Sequence, residues 1–117
     1  MKKFDIKTAV IGVGSMGRHH ARIYNEISNL VGVVDLNENL GMSIAEEYGV
    51  PWFEDYKSII SEVDAVSIAV PTNLHLAVAL DLMNANVNVL IEKPLAGNLD
   101  DAHRIINSSE TNNVVLG

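Results

Sequence analysis

Three glycines restrict the possible folds of this chain more than any other feature. They are Gly12, Gly14 and Gly17 in the run Gly12-Val13-Gly14-Ser15-Met16-Gly17. An apolar stretch, Thr8-Ala9-Val10-Ile11, leads into the run. The stretch Met16–Ile27 leads out of it, with Ala21, Tyr24 and Ile27 on one helical face. A strand that turns straight into a helix needs glycine for three separate reasons. The first allows the tight turn, the second lets backbone approach a bound anion, and the third lets helix pack on strand. The opening turn of the helix then offers free N–H groups and a positive dipole end. The expected donors are the N–H groups of Ser15 and Met16, and the anion that suits them is a pyrophosphate.

The rest of the chain repeats the alternation of strand and helix. Leu30–Asp35 reads as a second strand, Trp52–Phe53 as a short third, Ala65–Val70 as a nearly all-apolar fourth, and Val87–Ile91 as a fifth. Between them fall predicted helices at Leu40–Tyr48 and Leu74–Ala85, and a helical turn at Tyr56–Ser61. Gly49 and Pro51 end the second helix at the expected offsets. Asn98 caps a last helix over Asn98–Asn107, with Asp100 and Asp101 in its first turn, and Val114–Leu116 begins a sixth strand. Such alternation predicts an α/β fold, a Rossmann-type doubly wound parallel sheet with right-handed crossovers. Residues 1–117 are expected to form one dinucleotide-binding domain, the N-terminal piece of a longer two-domain protein.

Composition narrows the partners. The formal charge is −7, from 15 acidic and 8 basic residues, which argues against binding nucleic acid through its phosphates. The chain has no cysteine, so disulfides and thiolate metal sites are excluded. The four histidines show no metal-ligand spacing, and no metal is expected. No apolar run is long enough to span a bilayer, and the start lacks a signal-peptide core. The expected setting is the cytoplasm.

Asp35 supplies the second half of the glycine argument. It ends the second strand eighteen residues after Gly17. There a carboxylate accepts hydrogen bonds from the adenosine ribose hydroxyls. It would also repel a 2′-phosphate, and the following Leu36, Asn37, Glu38 and Asn39 include no Arg or Lys to receive one. NAD is therefore expected over NADP, with Leu36 bordering the same site.

In a doubly wound sheet, ligands gather at the carboxyl ends of the strands where strand order reverses. Two further loops should reach that edge: Val70-Pro71-Thr72-Asn73-Leu74-His75 after strand four, and Glu92-Lys93-Pro94-Leu95-Ala96 after strand five. At this point the chain resembles the N-terminal domain of the glucose–fructose oxidoreductase/inositol dehydrogenase family (Gfo/Idh/MocA). The matching stretches are Ala9–Ala21, Pro71–His75 and Val89–Ala96, and the resemblance extends over Ile6–Gly117. Glu92-Lys93-Pro94 is its most specific part.

The resemblance implies hydride transfer between a nicotinamide and a secondary alcohol of a sugar, sugar nucleotide or cyclitol. It implies that Lys93 lies beside the nicotinamide, in catalysis or in positioning, although spacing alone would also allow a solvated surface lysine. A cis peptide bond before Pro94 is implied as well. The cofactor contacts expected on these loops are Val70, Pro71, Thr72, Asn73, His75, Glu92, Lys93 and Pro94. Thr72 and Asn73 could instead cap the next helix, and His75 could instead be a packing residue. His20 matches the family pattern and reads as structural.

Members of the family add a C-terminal α+β substrate domain and form homo-oligomers. The chain alone is expected to bind NAD(H) without turnover, and to expose apolar surface near the sixth strand and the Lys93 loop. The start of the sequence is similar to that of oxidoreductases acting at a ring carbon of a UDP-N-acetyl-hexosamine. Two other classes fit part of the pattern. A stand-alone nucleotide-sensing module would use the glycine turn and Asp35 but has no need of Lys93. A Rossmann-like domain without a cofactor would need neither.

Overall fold

The computed structural model describes residues 4–117. Five strands form one parallel sheet: β1 (Lys7–Ile11), β2 (Asn29–Val34), β3 (Trp52–Phe53), β4 (Ala65–Ile68) and β5 (Asn88–Ile91). Their order in the sheet is β3-β2-β1-β4-β5. The chain first steps outward from β1 to β3, then crosses back to β4. Strand order thus reverses between β1 and β4, and the glycine turn leaves β1 at that point.

Helices α1 (Gly17–Ile27) and α2 (Glu38–Tyr48) pack on one face, over Val10, Val13, Leu30 and Val33. Helices α3 (His75–Asn84) and α4 (Leu99–Asn112) pack on the other, where Val78, Leu82, Met83 and Ile105 meet Ala9, Ile11, Val66 and Ile68. Successive residues of β1 serve opposite faces, as expected for a central strand covered on both sides.

Several boundaries differ from the sequence expectation, for local reasons. β4 ends at Ile68, because Ala69 and Val70 bend past Gly12; the Ala69 carbonyl oxygen would stand 2.7 Å from a Cβ on that glycine. A 3₁₀ turn at Thr72–Leu74 precedes α3, and the expected turn at Tyr56–Ser61 is two 3₁₀ turns, Tyr56–Ser58 and Ile60–Glu62. α2 starts two residues early because the Asn37 side chain accepts from the Leu40 N–H and caps it. α4 is capped by Asn98 as expected, but it continues to Asn112 and stops at Asn113, in the left-handed conformation at φ 54°.

The sixth strand is a single bridge, Val89 to Leu116, continued by backbone bonds from Gly117 N–H to Val89 and from Ile91 N–H to Gly117. Beside it Leu90 and Val115 are exposed, and Leu99 is exposed at the start of α4. No helix among the described residues is long and apolar enough to cross a membrane.

Candidate functional site

The three glycines turn out to have different neighbours. A Cβ on Gly17 would lie 1.7 Å from the Gly12 carbonyl oxygen. Gly12 has φ +91° and is closed in by Ala69. Around Gly14 nothing lies within 4 Å of where a Cβ would stand. The protein itself therefore requires glycine at positions 12 and 17, whereas the space at 14 is open.

The start of α1 is equally open. Its N-terminus has no side-chain cap and no acidic residue in the first turn. By contrast, α2 and α4 are both capped by asparagine and carry acidic residues there. The Ser15 and Met16 N–H groups make no hydrogen bond among the described residues. An anion in front of Gly14 would meet uncapped donors and the positive end of a helix.

Asp35 sits half-buried at the exit of β2. It does not cap α2, since Asn37 does. Its Oδ2 accepts from the Val13 N–H (2.9 Å) and its Oδ1 from the Asn37 N–H (2.8 Å). The Asp35 carbonyl oxygen accepts from Trp52 Nε1–H (2.9 Å). The carboxylate is thus fixed against the glycine turn, and each oxygen keeps a lone pair for a further donor.

A cleft of about 700 Å³ runs from the turn along the sheet edge. Gly12, Gly14, Asp35, Leu36, Val70 and Pro71 line it, as expected from the sequence. Its far end is made by residues outside the expected contacts: Glu54, Asp55 and Tyr56 after β3, Leu74 at the end of the 3₁₀ turn, and Ala77 and Val78 on α3. The spacing of Leu74, Ala77 and Val78 marks one helical face and was the available signal. The Tyr56 hydroxyl donates to Asp81. Burial, the bond to Asp81 and the charges of Asp81 and Asp55 raise the Tyr56 phenol above its usual range.

The remaining expected residues lie around this cleft rather than in its wall. Ser15 and Met16 are exposed on the turn, and Gly17 is buried under it. Thr72 and Asn73 form the 3₁₀ turn before α3, and neither caps the helix. Glu92, Lys93 and Pro94 leave β5, two strands from β1, or about 10 Å across the sheet. The Lys93–Pro94 peptide is cis, and the Lys93 side chain is exposed.

His75 is only 1% exposed. Its ring nitrogens lie 2.9 Å from the Val70 carbonyl oxygen and 3.1 Å from that of Leu95, and an uncharged imidazole donates its one N–H to one of the two. It ties the loop after β4 to the loop after β5 from beneath, and presents no spare polar atom to a ligand. His20, on α1, reaches the same loop from the other face. Its Nε2 lies 2.8 Å from Glu92 Oε2 and its Nδ1 2.7 Å from Ser67 Oγ. Tyr24 Oη lies 2.7 Å from the same Ser67 hydroxyl. Ser67 is wholly buried, and it is the one polar residue in the apolar run Ala65–Val70.

With this geometry in place, the comparisons with known proteins are specific. The sequence profile of the Gfo/Idh/MocA group, described as an oxidoreductase family with an NAD-binding Rossmann fold, matches residues 6–117. The chain belongs to this family. It is 41% identical over 111 residues to UDP-N-acetylglucosamine 3-dehydrogenase of Acidithiobacillus ferrooxidans, covering 95% of this chain and 36% of that protein. A crystal structure of that dehydrogenase superposes with a TM-score of 0.93 at 39% identity, over 97% of this chain and 38% of the other.

Glucose-6-phosphate 3-dehydrogenase of Bacillus subtilis is 32% identical over 106 residues, 89% of this chain and 30% of that protein. A protein of gentamicin A biosynthesis, solved in complex with NAD, superposes with a TM-score of 0.93 at 29% identity, over 97% of this chain and 34% of the other. The chain thus spans about a third of the length of the curated relatives it matches. For this Gfo/Idh/MocA domain, the open face of Gly14 and the bare start of α1 fit the NAD-binding description of the family.

Proposed function

We propose that this chain is the cofactor-binding part of an NAD-dependent dehydrogenase. The enzyme would move hydride between the nicotinamide and a secondary alcohol of a sugar-type substrate. The observation that carries the proposal is the ligand-sized opening at Gly14, on the same sheet edge as Asp35 and the Glu92-Lys93-Pro94 loop. Ser15 and Met16 N–H groups hold the pyrophosphate. Asp35 accepts from the adenosine ribose, and the cleft between Leu36 and Val78 takes the adenine. Thr72 and Asn73 face the middle of the dinucleotide.

Lys93 brings an ammonium to the nicotinamide end. When bound, the nicotinamide supplies the hydride acceptor. In carbonyl reduction the Lys93 ammonium would stabilise negative charge on the substrate oxygen and give it a proton, and in alcohol oxidation the Lys93 amine would take the hydroxyl proton back.

NAD is preferred over NADP on electrostatic grounds. Asp35, Glu54 and Asp55 all border the cleft, and among the described residues no Lys or Arg lines it. A 2′-phosphate would meet carboxylates without a counter-charge. For the substrate, the two curated relatives are each named as a 3-dehydrogenase of a hexose derivative. We favour a nucleotide-linked N-acetyl-hexosamine oxidised at a ring carbon.

Titrating NAD⁺ and NADP⁺ into the chain tests the cofactor assignment. The expected result is saturable NAD⁺ binding at least about tenfold tighter than NADP⁺. Equal affinities, or preference for NADP⁺, would overturn it. With NAD⁺ and UDP-N-acetylglucosamine together, the chain alone is expected to form no NADH.

A further inference from the structure

Lys93 needs a defined place, yet its side chain is exposed and its loop lies beyond the last full strand. What locates the loop is a chain of hydrogen bonds that starts on α1. Glu92 as a carboxylate can only accept, so His20 Nε2 donates to it. An uncharged ring then has a bare Nδ1, which must accept from the Ser67 hydroxyl. Ser67 has spent its one proton, so the Tyr24 hydroxyl donates to Ser67 Oγ. With the ring uncharged, every bond in the series runs in one direction, from Tyr24 through Ser67 and His20 to Glu92.

The geometry fits that purpose better than general packing does. A buried serine in the apolar strand β4 is costly unless both its lone pair and its proton are used. The Tyr24 ring meets the His20 ring edge-on, at 6.5 Å between centroids and 81° between planes, which restrains the imidazole further. From the opposite face of the sheet, the His75 ring packs beneath the loop with Nδ1 3.1 Å from the Leu95 carbonyl oxygen. The segment carrying Lys93 is therefore held at both ends, at Glu92 by a side chain and at Leu95 by the backbone.

We infer that His20 is a positioning residue for Lys93: through Glu92, with Ser67 and Tyr24 fixing its tautomer, it sets where the Lys93 ammonium stands against a bound nicotinamide. The inference rests on the reading of Lys93 given above. Its test uses the 117-residue chain itself. Lys93 is acetylated with acetic anhydride, with and without saturating NAD⁺, and modification is read by peptide mass spectrometry.

In the wild-type chain, NAD⁺ is expected to slow acetylation of Lys93. His20→Ala is expected to lose this protection by about fivefold, while its NAD⁺ Kd changes by less than about twofold. His20→Gln, whose amide can still donate to Glu92, should recover most of the protection, a rescue that a merely structural role would not produce. If His20→Ala keeps the wild-type protection, the inference is wrong. If the wild-type chain itself shows no protection, the reading of Lys93 fails and the inference falls with it.

Should His20→Ala not fold, Ser67→Ala removes the same tautomer control, and the same ratio is read on it. The wild-type chain offers a check without any variant. Long-range proton–nitrogen NMR, at a pH where the ring is uncharged, should find the His20 proton on Nε2. A proton on Nδ1 would contradict the assigned direction.

Discussion

The glycine turn and the Glu92–Ala96 loop sit on the same sheet edge, and they are held in place in opposite ways. The turn is fixed by the absence of atoms: Gly17 touches the Gly12 carbonyl and Gly12 touches Ala69, with no room for a Cβ. The loop is fixed by added atoms, through two histidines that grip it from helices on opposite faces. A site held by exclusion tolerates no substitution at the contact, whether the neighbour is near in sequence, as Gly12 is to Gly17, or distant, as Ala69 is to Gly12. A site held by side chains can be loosened one bond at a time, and its anchors lie far away in sequence. The glycine turn should therefore respond to substitution in an all-or-none way, and the Lys93 loop in an adjustable one.

The largest effect should come from the turn. Gly17→Ala places a methyl 1.7 Å from a backbone oxygen, and is expected to cost at least about 3 kcal/mol in urea unfolding, a large part of a domain's stability. A loss below about 1 kcal/mol would mean that the turn can shift, and would break the contrast.

Next comes the buried anchor of the loop. His75→Ala removes the imidazole N–H that a buried loop carbonyl accepts from and opens a cavity, and is expected to cost about 2–4 kcal/mol in the same measurement.

Asp35→Ala removes the acceptor of the Val13 and Asn37 N–H groups and, on the proposed function, that of the ribose. NAD⁺ affinity by calorimetry should fall about 10- to 100-fold, and the preference over NADP⁺ should narrow.

Smallest is Tyr56→Phe, on the cleft wall. Burial first, then Asp81 and Asp55, hold the Tyr56 phenol above its usual value of 10.0. The unfolded chain releases that proton at the lower pH. Folding stability from this group is thus complete below pH 10 and declines as pH rises above it. Tyr56→Phe should reduce the alkaline decline of the urea midpoint. Tyr48, raised likewise by burial and by Glu47, should retain part of it.

The same contrast explains what could be read from the sequence. Gly12, Gly14, Gly17 and Asp35 act through local geometry and fixed spacing, so the turn, the strand–helix order and one end of the cleft were legible. Ser67 and Glu92 lie 47 and 72 residues from His20 and meet it only because β1, β4 and β5 are adjacent. Nothing near His20 signals that. Burial of His75 was likewise one of two open readings until its two carbonyl partners were placed. Strand β4 was read two residues too long because Ala69 and Val70 remain apolar while leaving the strand, and hydrophobicity reports burial rather than extension. Helix α4 runs past its expected end because its stop is Asn113 rather than glycine or proline.

The central claim is that the space at Gly14 belongs to a dinucleotide. Calorimetric titration of NAD⁺ into the wild-type chain and into Gly14→Ala tests it most directly. Gly14→Ala meets no neighbour, so it should unfold within about 0.5 kcal/mol of wild type. The account predicts saturable NAD⁺ binding to the wild-type chain, and binding weaker by about tenfold or more in Gly14→Ala. A folded wild-type chain that gives no binding at about 1 mM NAD⁺, or a Gly14→Ala chain that binds equally well, would contradict it.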